Sequence, residues 1–353
     1  MKKIVLTGGG TAGHVMPNLA LLPRLRQEGW EIVYIGSRRG IEKDLLQPAG
    51  IPYYGIATGK LRRYFSLQNF TDPFRVVKGL AEATLLLRKL RPDVVFSKGG
   101  FVSVPVTIGA WLNRIPVILH ESDLTPGLAN RLALPFATTI CATFPESMAH
   151  LPAGKRVLTG NPIRRELLVG SKKAGLAYCG FTAELPVLVV MGGSLGSKVL
   201  NQVIRAVLPE LLTRFQVAHI CGKGHLEPGL DQTGYRQFEF IGPELPDVLA
   251  AADLCVSRAG ANFLFELLAL KKPALLIPLS KVASRGDQIL NAASFSKQGF
   301  SMVLLEEETT AATLLAKVFQ LYRERDRLTA VMAGSALQDA TGAVVRLIGG
   351  AVR

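Results

Sequence analysis

Two glycine-rich turns, one in each half of the chain, constrain this sequence most. The first, Gly8-Gly9-Gly10-Thr11-Ala12-Gly13-His14, follows the apolar run Ile4-Val5-Leu6. The second, Gly192-Gly193-Ser194-Leu195-Gly196-Ser197, follows Val187-Leu188-Val189-Val190-Met191. A glycine turn between a strand and a helix lets backbone N–H groups approach an anion, and the helix N-terminus behind it adds partial positive charge. Two such turns imply two nucleotide-type domains facing one cleft.

The rest of the chain repeats this pattern. Strands are expected at Lys3–Thr7, Ile32–Ile35, Val94–Ser97, Val117–His120, Thr138–Cys141 and Val157–Leu158, then at Val187–Met191, Val217–Ile220, Phe238–Ile241, Leu254–Ser257, Ala274–Pro278 and Met302–Leu305. Near-continuous apolar strands separated by helical stretches predict α/β domains with doubly wound parallel sheets. A helix is expected over Val199–Leu212, with Leu200, Val203, Ile204, Val207, Leu208 and Leu211 on one face. At 353 residues the chain favours two domains, placed at 1–160 and 161–353 around Gly160-Asn161-Pro162. The last helix, from Ala311 onward, is expected to pack back on the first domain.

Charge is lopsided: 41 Lys and Arg stand against 27 Asp and Glu, a net charge of +14. A basic protein seeks anions. Mean hydropathy is nevertheless positive, at +0.28, which suits an anionic membrane surface better than a nucleic-acid groove. No nucleic-acid recognition motif is present. The four cysteines, Cys141, Cys179, Cys221 and Cys255, form no C-x-x-C pair, so neither a zinc site nor a disulfide framework is indicated. The N-terminus carries no signal-peptide pattern, and the longest apolar stretch, from Phe101 to Asn113, is interrupted by Pro105. Membrane contact is therefore expected to be peripheral.

Gly8-x-Gly10-x-x-Gly13 matches the dinucleotide fingerprint, which calls for an acid after the second strand. Here that strand leads into Gly36-Ser37-Arg38-Arg39, which argues against NAD but leaves an NADP 2′-phosphate conceivable. A Walker A loop is ruled out by His14 and Val15, where Lys and Ser or Thr would stand. His14 opens the following helix and is a candidate general base, since imidazole titrates near neutral pH. In the second half, Ser257-Arg258-Ala259-Gly260-Ala261-Asn262 leads into an apolar helix whose single acid is Glu266. Either the helix dipole favours this carboxylate in a first turn, or it accepts the two vicinal hydroxyls of a ribose. Gln288 and Asn291 share a helix face, and their amides suit sugar hydroxyls as well as solvent.

Taken together, Gly9-Gly10-Thr11-Ala12-Gly13-His14, His120-Glu121-Ser122-Asp123, Thr125-Pro126-Gly127-Leu128-Ala129-Asn130, Gly160-Asn161-Pro162-Ile163-Arg164, Gly192-Gly193-Ser194, Ser257-Arg258-Ala259-Gly260-Ala261-Asn262 and Arg285-Gly286-Asp287-Gln288 resemble the MurG family over nearly the whole chain. The resemblance implies a GT-B fold and inverting transfer of N-acetylglucosamine from UDP-N-acetylglucosamine. The acceptor it implies is the C4 hydroxyl of undecaprenyl-pyrophosphoryl-N-acetylmuramoyl-pentapeptide, at the cytoplasmic face of the cell membrane. It places Thr11, Ala12, Gly13 and His14 at the reacting sugar or acceptor pyrophosphate, and Arg164 and Ser194 on the donor diphosphate. Ile241 falls at the uracil, Glu266 at the ribose, and Gln288 and Asn291 at the sugar hydroxyls.

Two positions depart from the family pattern. Ala12 stands where Gly is usual and is expected to reshape the turn, because alanine tolerates positive φ poorly. Asp123 stands where Asn is common, which opens a general-base role for Asp123 in place of His14. No D-x-D pair occurs, so no protein-ligated metal or other cofactor is expected. Lys60-Leu61-Arg62-Arg63-Tyr64-Phe65, Phe74–Leu80 and Trp111 form a candidate patch for anionic lipid. A GT-B-type UDP-sugar epimerase and a catalytically dead scaffold remain as alternatives.

Overall fold

The computed structural model describes residues 2–59, 68–193, 196–230, 232–281 and 286–352, with side chains of 68–73, 338 and 339 left aside. It divides into two compact units: Met1–Arg164 with Asp339–Arg353, and Arg165–Gln338.

In the first unit the strands are β1 (Lys3–Thr7), β2 (Glu31–Ser37), β3 (Tyr53–Ile56), β4 (Val94–Ser97), β5 (Val117–Glu121), β6 (Thr139–Ala142) and β7 (Arg156–Leu158). They form one sheet of order β3-β2-β1-β4-β5-β6-β7, parallel throughout. Its helices are α1 (Ala12–Gln27), α2 (Ile41–Leu46), α3 (Gln68–Leu90), α4 (Ser103–Leu112) and α5 (Leu128–Ala133). Successive strand residues point to opposite faces. Ile4, Leu6, Ile32, Tyr34 and Phe96 therefore pack on α1, while Val5, Val33, Ile35, Val95 and Val117 pack on α3 and α4.

The second unit has β8 (Val187–Met191), β9 (Gln216–Ile220), β10 (Tyr235–Phe238), β11 (Leu254–Ser257), β12 (Ala274–Leu276) and β13 (Ser301–Val303). Its sheet order is β10-β9-β8-β11-β12-β13, again parallel. The helices are α6 (Lys172–Cys179), α7 (Lys198–Ala206), α8 (Leu208–Leu212), α9 (Leu245–Ala251), α10 (Ala261–Leu270), α11 (Asp287–Lys297) and α12 (Ala311–Ala333). Both sheets place the first strand of their unit centrally, with the order reversing beside it. That reversal opens a crevice beyond the strand carboxyl ends.

Four local expectations are corrected. Strand β3 was not anticipated: Tyr53-Tyr54-Gly55-Ile56 lies at the sheet edge, half exposed, and lacks an apolar run. Strand β10 covers Tyr235–Phe238 and not Phe238–Ile241, because its pairing with β9 ends where Phe238 meets Ile220. The helix expected over Val199–Leu212 is broken at Val207, ahead of Pro209. Finally, α12 stays in the second unit. The segment that joins the first unit is a separate helix, α13 (Ala340–Gly350), whose Val344, Val345 and Ile348 complete the core beneath α1.

Candidate active site

At the first crevice, the turn after β1 bends on Gly10, at φ +85°. Two of its amides are already engaged. The Gly9 N–H donates to the Gly99 carbonyl (3.3 Å), and the Gly10 N–H to Glu42 Oε2 (3.3 Å). The other Glu42 oxygen accepts from the Ser37 amide at 2.8 Å and its hydroxyl at 2.5 Å, and the Glu42 side chain is buried. The expectation that this turn offers these amides to an anion is therefore corrected: a buried carboxylate takes one of them. Helix α1 begins at Ala12, with Thr11 extended at its cap. Ala12 is not among the residues of positive φ, so alanine imposes no distortion of the kind expected. Thr11 and Gly13 are exposed, Ala12 and His14 half-buried. The Thr11 hydroxyl lies 3.0 Å from His14 Nδ1 and orients the ring.

Beyond β4 and β5 lies a buried cluster. Lys98, wholly enclosed, directs Nζ to His120 Nδ1 (2.6 Å), Ser122 Oγ (2.5 Å) and Asn161 Oδ1 (2.8 Å). Burial pushes the Lys98 ammonium down to about 7, opposed by Glu121 and Asp123. Burial and then Lys98 hold His120 well below the ordinary imidazole range, and His120 Nε2 meets the Gly160 carbonyl (2.9 Å). Burial pushes Glu121 up to about 7, although it accepts from Asp123 N (3.0 Å), Gly127 N (3.2 Å) and Asn130 Nδ2 (2.8 Å). Asp123 is half-buried at the rim of this cluster. Arg164, half-buried, closes the first unit.

In the second unit the turn after β8 carries positive φ at Gly193 and Gly196; Ser194 lies outside the described residues, as does Arg285. Ser197 caps α7 through Leu200 N (3.3 Å) and accepts from Arg258 Nη2 (2.6 Å). Arg258 also pairs with Glu306 and donates to the Ile277 and Pro278 carbonyls. Burial raises the Glu306 carboxyl, but hydrogen bonds from Arg258 and Ser280 outweigh this and hold it below its ordinary value. Glu266 is buried and sits past the first turn of α10, which contains no acid, so the helix dipole does not account for it. Gln288 Oε1 accepts from Ala259 N (3.3 Å) and Leu279 N (3.2 Å). Asn291, fully buried, donates to the Ala259 carbonyl at 3.4 Å. The structure thus brings Gln288 and Asn291 together on the turn after β11. Ile241 is buried beyond β10.

Sequence reasoning missed the roles of Lys98, Glu42 and Arg258. Each carried a signal: a lysine between a buried strand and Gly99-Gly100, an acid just after a glycine turn, and an arginine at an apolar strand exit. Among the described residues, no group of three or more His, Cys, Asp or Glu side chains could hold a metal ion, and no helix is long and apolar enough to cross a membrane.

Two parallel sheets of this order, each with a glycine turn after its central strand, are the paired Rossmann-like units of a GT-B fold. Residues 4–142 match the glycosyltransferase family 28 N-terminal domain, and residues 187–347 its C-terminal domain. A Clostridium botulinum relative is 56% identical over 99% of both chains, and one from Lachnospira eligens is 58% identical over 99% of both. Both are named UDP-N-acetylglucosamine--N-acetylmuramyl-(pentapeptide) pyrophosphoryl-undecaprenol N-acetylglucosamine transferase. The crystal structure of Acinetobacter baumannii MurG superposes with a TM-score of 0.79 at 25% identity, over 99% of this chain and 100% of that one. The chain belongs to the MurG family.

Proposed function

We propose that this chain transfers N-acetylglucosamine from UDP-N-acetylglucosamine to the C4 hydroxyl of undecaprenyl-pyrophosphoryl-N-acetylmuramoyl-pentapeptide. The anomeric carbon inverts, and a β-1,4 lipid-linked disaccharide and UDP leave. The full-length identity to relatives of that name carries this reading. Within the site, the oriented His14 is its main support. With its proton on Nδ1, donated to Thr11 Oγ1, Nε2 is the nitrogen that takes the proton from the attacking hydroxyl. Asp123, beside Glu121 at the end of β5, is the second candidate for that task. Thr11, Ala12 and Gly13 shape the acceptor side of the turn.

On the donor side we assign Glu266 to the ribose, Ile241 to the uracil, and Gln288 to the sugar hydroxyls. Asn291, enclosed against Ala259, contributes by fixing that turn. Arg164 and the Ser194 turn meet the departing diphosphate, with no protein-ligated metal. Full turnover in excess chelator is the expected result, and loss of turnover overturns the metal-free reading.

The enzyme works at the cytoplasmic face of the membrane as a peripheral protein. Phe74 (79% exposed), Val77 (68%) and Trp111 (54%) are apolar surface on the first unit that supports this; Lys60–Phe65 lie outside the described residues. Labelled UDP-N-acetylglucosamine incubated with the lipid-linked acceptor tests the whole assignment. A labelled disaccharide lipid is expected; release of an epimerised nucleotide sugar with no transfer would sink it.

A further inference from the structure

Beyond the carboxyl ends of β1, β2 and β3 lies a cavity of about 560 Å³ in the first unit, lined among others by Gly10, Ser37, Arg38, Arg39, Arg75 and Lys78. Four cations therefore face one space. Among the described residues, one nearby acid pairs with Arg38 and another is enclosed beside the turn. Glu82 binds Arg38 at 2.6 Å and the Ala57 amide at 2.8 Å, and Glu42 is enclosed by Ser37 and Gly10. Positive charge dominates the cavity. Helix α3 reaches it because Gly79 has no side chain; a Cβ there would collide with the Ala57 carbonyl. Arg75 and Lys78, three apart on α3, consequently stand over the same opening.

A second, apolar groove shares Ala57 and Thr58 with this cavity and is lined by Val76, Phe101, Val104, Pro105, Leu128 and Leu132. Helix α3 thus gives Val76 to the groove and Arg75 and Lys78 to the cavity. Three surfaces follow in order: the Gly10 turn that leads to His14, the cations, and the apolar groove. An anion here is met by side chains, since the Gly9 and Gly10 amides are occupied. Guanidinium forks and an ammonium suit phosphate oxygens.

We infer that the cavity holds the diphosphate of the lipid-linked acceptor, with Arg39 and Lys78 as its principal ligands and the first isoprene units in the adjoining groove. This rests on the acceptor named under Proposed function. The three surfaces then match the acceptor's own sequence of sugar, diphosphate and hydrocarbon. Arg39 and Lys78 become residues that select a diphosphate-linked acceptor.

The test uses the full chain, a water-soluble short-chain acceptor and farnesyl diphosphate as probe, with farnesol as control. Farnesyl diphosphate is expected to compete with the acceptor but not with UDP-N-acetylglucosamine, and farnesol to be at least about ten-fold weaker. In the Arg39→Gln/Lys78→Gln variant the acceptor KM and the farnesyl diphosphate Ki are expected to rise at least about ten-fold, with the UDP-N-acetylglucosamine KM unchanged. Both side chains are exposed, so the variant keeps its fold, which circular dichroism checks. An unchanged acceptor KM overturns the site while leaving the transferase reading intact. Weaker binding to phosphatidylglycerol vesicles at an unchanged acceptor KM likewise overturns it, in favour of a membrane headgroup. Absence of transfer by the unsubstituted chain would instead strike the functional reading itself.

Discussion

The two switch points share a strand order and differ in their electrostatics. In the first unit, charges are buried against neutral partners: Lys98 points at His120, Ser122 and Asn161, and Glu121 is held by N–H donors. In the second, Arg258 is matched by Glu306, and the neutral amides of Gln288 and Asn291 on α11 bond the turn after β11. Burial thus shifts both Lys98 and Glu121 towards neutrality at the first edge, while at the second hydrogen bonds from Arg258 and Ser280 hold Glu306 below its ordinary value. A common architecture sets where a site lies, and the local side chains set what it does.

This contrast can be broken in several ways. The largest effect is expected for Arg258→Met, which takes the guanidinium away from half-buried Glu306 and leaves it the Ser280 amide, and should cost the second unit about 1–3 kcal/mol. Urea unfolding measures it, and a loss below about 0.5 kcal/mol would mean that Arg258 does not hold the turn together. Next, His14→Ala should lower kcat roughly 10²-fold with little change in stability; a near-normal kcat moves the base to Asp123.

Third, Lys98→Met should change how stability depends on pH. Burial puts folded Lys98 at about 7, against about 10.4 in the unfolded chain. Between those values the unfolded state holds the extra proton, so the contribution of Lys98 grows as pH rises. Glu121 runs the other way: its folded value of about 7 lies above the ordinary one, and its contribution fades as pH rises towards 7. Wild type should therefore gain stability relative to Lys98→Met from pH 7 to pH 9. A gap constant across that range would deny the buried lysine its depressed titration. The smallest effect is expected for Ala12→Gly, about 1 kcal/mol or less of helix stability and an unaltered kcat, since α1 begins there with ordinary backbone angles.

Much of this was legible from the residues. Apolar runs such as Val94–Ser97 and Leu254–Ser257 marked buried strands because both faces of a parallel sheet are covered. Edge strand β3 escaped and β10 was placed too late in the chain, since half-exposed edges relax that pattern. The glycine turns were visible at strand exits, and His14 and Glu266 as polar residues on the helices that follow. The destination of the amides was not: Glu42 reaches the Gly10 N–H only once α2 folds over the turn. The cavity of Arg38, Arg39, Arg75 and Lys78 joins positions far apart in the chain, and only the close approach at Gly79 assembles it.

Helix α13 has a consequence for biosynthesis. Its Val344, Val345 and Ile348 belong to the core built around β1, so the first unit waits for residues that follow the whole of the second unit in the chain. The other lobe, Arg165–Gln338, is one uninterrupted stretch and has all its parts sooner. What is translated first is thus completed last, and a chain cut short before α13 would release a finished second unit and an opened first one.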